Sequence, residues 1–195
     1  MEPRRLPLDR DFYERDSSQV ARDLLGKVIV RRLRSGVLSG KIVETEAYYG
    51  DRDPASRAYL GRKNYNRPMF GEPGRLFVYM VHTWWLLNIV AHGEGEVGAV
   101  LIRGLEPLEG VQTMMMNRRV KEIQNLTNGP GKLGRALAVT NELNSLDITE
   151  DSSDLVVTVG EDEAFDTISS MRIGVTRDLS EELRFYIEGN RFVSR

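Results

Sequence analysis

Two glutamates stand two residues apart in KIVETEAYYG, residues 41–50, where Ile42, Val43 and Ala47 otherwise read as a buried strand. Side chains alternate along a strand. Ile42, Glu44, Glu46 and Tyr48 are therefore expected on one face and Val43, Thr45 and Ala47 on the other, with same-face neighbours about 7 Å apart. A carboxylate beside an aromatic ring, with a basic loop just downstream, can take a proton from water or stabilise a developing positive charge. A solvated strand face would carry the same residues as ordinary surface glutamates.

Three later strands shift that balance. Tyr79 interrupts LFVYMV, Asn88 interrupts LLNIV, and Arg103 interrupts AVLIRGL. A buried polar side chain costs about 1–3 kcal/mol unless it finds a partner. Glu46 and Arg103 are expected to satisfy each other, with Asn88 bonding the backbone. Together with Tyr48 and Tyr79 they suggest a pocket with aromatic walls and a carboxylate floor.

The elements that must hold this pocket follow from periodicity. SSQVARDLL, residues 17–25, reads as an amphipathic helix with Gly26 past its end. Residues 27–34 and 37–48 read as a hairpin about Ser35-Gly36, and 75–81 with 84–92 as a second, whose tip lies near His82 and Thr83. A strand at 99–105 precedes a helix at about 108–119, whose Met114, Met115 and Met116 are expected as core filler. Pro130 is expected to open another helix, and strands are expected at 155–160, 171–176 and 182–187. The stretch 50–74 has no periodicity, and a loop of that length in a compact domain is more often functional than idle. Gly93-Glu94-Gly95-Glu96-Val97-Gly98 has dinucleotide-loop spacing, but a strand follows it instead of the helix such a loop must open. The expected class is α+β: one domain over 1–195 with a central antiparallel or mixed sheet, flanking helices and a protruding β-hairpin.

Composition narrows the chemistry. The 195 residues suit one well-cored domain, 41% being hydrophobic and 29% charged. Cysteine is absent, which excludes disulfides, Cys-ligated zinc and thiol catalysis. No run of about 18 apolar residues could span a membrane, and the polar N-terminal stretch lacks a signal-peptide core. An intracellular protein is expected, cytoplasmic in a prokaryote or nuclear in a eukaryote. The net charge of −2 argues at first against nucleic acid. Its distribution argues otherwise. Residues 145–166 hold eight acids and no Lys or Arg, whereas 57–75 carries Arg57, Arg62, Lys63, Arg67 and Arg75 against Glu72 alone.

In this order, IVETEAYYG, DPAS, RPMFGEPGRLFVYMV, LLNIV, VLIRGLEPLEG and NGPGKLGRAL resemble the alkyladenine (3-methyladenine) DNA glycosylase family, over residues 17 to 187. The resemblance implies a monofunctional enzyme of base excision repair, a monomer needing no metal or organic cofactor. Such an enzyme binds double-stranded DNA through the minor groove, flips out a damaged purine and hydrolyses its bond to deoxyribose. By motif, Glu46 would be the general base and Arg103 would hold water and carboxylate. Tyr48 would stack on the flipped base, Tyr79 would pack against it, and Asn88 would crowd the amino group of guanine. Arg62, Lys63, Arg67 and Arg75 are expected at DNA phosphates.

This chain departs from the family at two positions. Arg57 stands where most members have a histidine that stacks on the base, which favours neutral lesions such as hypoxanthine or ethenoadenine over cationic ones. His82 falls where members tend to show the tyrosine that fills the gap left by the base. An inert DNA-binding module with this fold would need neither Glu46 nor Arg103. A hydrolase of free nucleosides or glycans would leave the basic loop without a purpose.

Overall fold

The computed structural model describes residues 6–194, so the first five residues of the polar N-terminal stretch and Arg195 lie outside it. One sheet holds eight strands: β1 (Val28–Leu33), β2 (Gly36–Tyr49), β3 (Leu76–Val81), β4 (Trp84–Val90), β5 (Gly98–Glu109), β6 (Leu155–Thr158), β7 (Thr167–Ser170) and β8 (Arg184–Ile187). Its order is β3-β4-β5-β2-β1-β6, with β8 also on β2 and β7 on β8, and these pairings are antiparallel. Among the described residues four α-helices accompany it: α1 (Arg10–Tyr13), α2 (Ser17–Asp23), α3 (Val111–Arg118) and α4 (Pro130–Ala136). The α+β class is the one the sequence implied.

Local chemistry sets these elements. The Asp16 carboxylate caps α2 by accepting from the amides of Ser18 and Gln19. Pro130 stands in the first turn of α4, where an amide proton would have no helical partner. Gly95, at φ +74°, turns the 93–98 segment from β4 into β5, so this is a connector and not a phosphate loop.

β2 is the centre of the molecule. It pairs with β1 through its first residues, with β5 along most of its length, and with β8 at Glu44–Glu46. Backbone therefore flanks both glutamates on either side. Thr45 and Ala47 share a face with Val100, Ile102 and Ile89, which belong with Ala47 to the main core that the helices cover. Glu44, Glu46 and Tyr48 take the other face with Ala99, Arg103 and Asn88. A smaller cluster of Ala58, Met69, Phe77, Val90 and Ala99 packs there beneath the 50–74 loop.

Three expectations need correction. Ile42 does not share the face of Glu44. Register shifts at 42–45 leave Val43 and Arg103 outside the ladder, and this irregularity lets Ile42 and Val43 both enter the main core. Residues 171–176 are not a strand, because the edge pairing is made by Thr167–Ser170 and Arg172 is drawn into a buried ion cluster described below. Of the three methionines, Met114 is buried and Met115 packs against the core, but Met116 is 69% exposed.

Candidate active site

The floor of the site is a charge network built on β2. Glu44 and Glu46 are both 0% exposed. Glu44 accepts from Arg103 Nε at 3.0 Å, Arg184 Nε at 2.7 Å, Ser194 Oγ at 2.8 Å and the Ser194 amide at 2.6 Å. Glu46 is held differently. Its Oε2 accepts from the Tyr48 hydroxyl at 2.8 Å and from Arg103 Nη1 at 3.2 Å, while Oε1 accepts from the Ile173 amide at 2.7 Å. The expected pairing of Glu46 with Arg103 is present. Arg103 spans both carboxylates and adds a bond from Nη2 to Ser194 Oγ at 3.0 Å.

Burial raises the pKa of Glu46. Arg103, the Ile173 amide and the Tyr48 hydroxyl pull it back, and burial wins. A carboxylate poised above its ordinary range is a better proton acceptor near neutral pH. Tyr48 is pushed well up by burial and then by the charge of Glu46, so its hydroxyl stays protonated and donates. In Arg103, burial pulls downward and the two glutamates more than offset it, leaving the pKa raised.

Behind Tyr48 lies a second cluster that sequence reasoning missed. The Arg172 guanidinium, fully buried, grips Asp53 with two bonds of 2.7 and 2.8 Å, also binds Asp178, and donates to the Ala47 carbonyl at 2.9 Å. Its Cζ lies 4.5 Å from the Tyr48 ring centroid. Arg172 thereby backs one aromatic wall and anchors the segment whose next amide, that of Ile173, reaches Glu46. The available signal was an arginine inside the apolar alternation of MRIGVT, the same sign that pointed to Arg103.

Tyr48, Ala55, Arg57, Met69, Phe77, Tyr79, Asn88 and Ala99 surround a slot of only about 10 Å³, roughly the room of one water. Phe77 and Tyr79 stack at 4.9 Å, and the Arg57 Cζ sits 4.9 Å over the Tyr79 ring. Asn88 donates to the Phe77 carbonyl at 3.0 Å, which is the backbone bond expected of it. Tyr48, Arg57, Tyr79 and Asn88 are thus brought together as foreseen. The slot is closed, with the exposed Arg57 side chain as its outermost part. Asn66, a residue the sequence did not flag, fixes the loop beneath. It donates to the carbonyls of Arg57 at 2.7 Å and Gly61 at 3.0 Å, and accepts from the Lys63 amide at 2.6 Å.

The proposed DNA contacts divide. Arg57, Arg62, Lys63 and Arg67 are exposed, with no ion pair among the described residues. Arg75 is different: Glu72 at 2.7 Å and Asp147 at 3.5 Å already neutralise it, which removes it from the set of free phosphate contacts. His82 stands exposed at the tip of the β3–β4 hairpin with φ +53°, a left-handed conformation that favours glycine or asparagine. Trp85 packs against the main core, while Trp84 is half-buried near the tip.

Among the described residues no cluster of His, Asp or Glu could hold a metal ion. Comparison with known proteins decides the family. The profile of the methylpurine-DNA glycosylase family matches residues 11–191. The chain belongs to that family. A relative from Aeropyrum pernix is 42% identical over 190 residues, covering 96% of this chain and 93% of the relative. One from Clostridium tetani is 40% identical over 205 residues, covering 97% and 100%. One from Koribacter versatilis is 38% identical over 192 residues, covering 96% and 93%. Each of the three carries the name "Putative 3-methyladenine DNA glycosylase". The family's members are hydrolases of N-glycosyl bonds whose substrate is DNA, and this chain is an enzyme of that type.

Proposed function

We propose that this glycosylase is monofunctional, takes a damaged purine extrahelically between Tyr48 and Tyr79 once the slot there widens to admit it, and hydrolyses its N-glycosidic bond with Glu46 as general base. The observation that carries this reading is a fully buried Glu46 of raised pKa that accepts a hydrogen bond from Tyr48, a wall of the aromatic slot.

In this reading the base departs as the sugar gains positive charge. The carboxylate stabilises that charge and deprotonates the attacking water. Arg103 orients the carboxylate, and Asn88 narrows the slot against a purine with an exocyclic 2-amino group. Extrusion of a nucleotide costs a few kcal/mol and is least for a damaged or weakly paired base, which contributes selectivity. The hairpin tip at His82 enters from the minor groove to occupy the vacated space, with the protein acting as a monomer. No lysine lines the slot, so strand cleavage through a Schiff base is not expected.

Arg57 bears on the lesion. Its guanidinium overlies Tyr79 at the slot mouth without an ion pair among the described residues, so a cationic methylated purine would meet an uncompensated positive charge there. Neutral hypoxanthine and ethenoadenine would not. These neutral lesions are therefore proposed as substrates alongside 3-methyladenine.

The test incubates the protein with duplexes carrying a single hypoxanthine, ethenoadenine or 3-methyladenine and assays abasic sites. Release from at least one, with the neutral lesions well represented, is expected. Tight binding without release from any of them would leave only an inert DNA-binding module.

A further inference from the structure

Several arginines among the described residues are matched to carboxylates, including Arg10, Arg15, Arg31, Arg32, Arg75, Arg103, Arg172 and Arg184. Residues 111–140 differ from these, with Arg118, Arg119, Lys121, Lys132 and Arg135 against one acid, Glu122. None of these five cations makes an ion pair among the described residues. Three of them gather on the side of the β3–β4 hairpin where α3 and α4 pack.

Their common centre is Trp84. Arg118 Cζ lies 5.4 Å and Arg135 Cζ 5.7 Å from its ring, and a side chain at Gly131, next to Lys132, would run into that ring. The guanidinium groups are held in place by carbonyls. Arg118 donates through Nε to Leu126 at 3.2 Å and through Nη2 to Asn125 at 3.4 Å, and Arg135 through Nε to Asn117 at 3.0 Å. Lys132 donates to the Asn128 side chain at 2.8 Å. Those partners are neutral, so they fix position without cancelling charge. Arg118 Nη1 and both Nη atoms of Arg135 have no hydrogen bond among the described residues.

Like charges held together at fixed positions raise the potential that an anion would lower. Burial and then the charge of Arg135 lower the pKa of Arg118, and burial and then Arg118 lower that of Lys132. Trp84 is two residues from His82, about 7 Å along the strand. The cluster therefore stands on the order of 10 Å from the hairpin tip, about three phosphate spacings along one DNA strand.

We infer that Arg118, Lys132 and Arg135 form a second phosphate-binding surface for duplex DNA, beside β4 where α4 packs. It holds a stretch of DNA backbone in addition to the one assigned to the Arg62, Lys63 and Arg67 loop. The inference rests on the reading of the site as one that acts on duplex DNA.

The test measures affinity for an undamaged duplex as a function of salt. Each lost phosphate contact reduces the log–log slope by about 0.9. Lys132→Gln with Arg135→Gln should lower it by about 1.8, and adding Arg118→Gln by about 0.9 more. Because Arg118 also ties down a loop, the double variant is the decisive one. Single-turnover release from a hypoxanthine duplex at saturating enzyme should keep its wild-type rate. Arg34→Gln, at the β1–β2 turn, should leave the slope alone. An unchanged slope in the double variant, or an equal drop with Arg34→Gln, overturns the surface. If wild-type protein released no base while the double variant still lost slope, the catalytic reading would fall and the surface would stand.

Discussion

At the floor of the site Arg103, Arg172 and Arg184 are each matched to a carboxylate and lie nearly out of solvent. At the rim Arg57, Arg62, Lys63 and Arg67 stand in water with no ion pair among the described residues. The floor has its electrostatics settled within the protein, where Tyr48, Arg103 and the Ile173 amide hold the Glu46 carboxylate in place. The rim keeps its charges free for a polyanion. The loop backbone there is fixed through Asn66, so the two regions differ in where their counterions come from, not in how well their chains are held.

The contrast recurs inside the floor. Glu44 accepts four hydrogen bonds from two arginines and Ser194, whereas Glu46 accepts three, one of them from the slot residue Tyr48. Glu44 is expected to carry stability and Glu46 chemistry. Glu44→Gln leaves two nearly buried guanidinium groups short of a counter-charge and should cost about 3–5 kcal/mol of unfolding free energy, read from denaturant melts. A loss under 1 kcal/mol would erase the distinction. Nothing local in the sequence shows that Arg184 and Ser194 return to Glu44 from the far end of the chain.

A smaller effect separates floor from rim. Arg57→His removes a permanent charge from the slot mouth above about pH 6.5, where histidine is neutral. Release of cationic methylated purines relative to hypoxanthine should rise several-fold, less than an unscreened charge would give because Arg57 is exposed. Competition kinetics with both lesions would read this. An unchanged ratio with weaker binding would make Arg57 a phosphate contact instead.

The smallest effect sharpens the role of Glu46 in the folded state. Its folded pKa is raised, so its contribution to stability is present below the unfolded value of about 4.3 and is lost as pH rises through the folded value. Gln cannot titrate. The melting temperature of Glu46→Gln should therefore gain on wild type between about pH 4 and pH 7. A gap constant over that range would mean that Glu46 ionises in the protein as it does in water.

What the sequence made legible was whatever repeats locally. Two hairpins, the central strand and the Pro130 helix follow from alternation and turn residues. Glu46, Arg103, Tyr79 and Asn88 stood out because each breaks an apolar run, and Tyr48 because alternation puts it on the face of Glu46. Arg172 was lost because its alternating surroundings mimic a strand, and its partner Asp53 lies 119 residues away. Arg75 was assigned to DNA on a local count of charge, which takes no account of Asp147 across the fold. The Trp84 cluster escaped for the converse reason, since its cations are spread over 18 residues and are gathered only when α3 packs on α4. Ion pairing is a tertiary property, and a count along the chain sees only the charges.

The central claim is that Glu46 performs the chemistry while its neighbours hold it. Single-turnover base release from a hypoxanthine duplex, measured for wild type and Glu46→Gln at saturating enzyme, tests it most directly. The account predicts a loss of at least about 10²–10⁴-fold with duplex binding intact or tighter. Release by Glu46→Gln at close to the wild-type rate would contradict it.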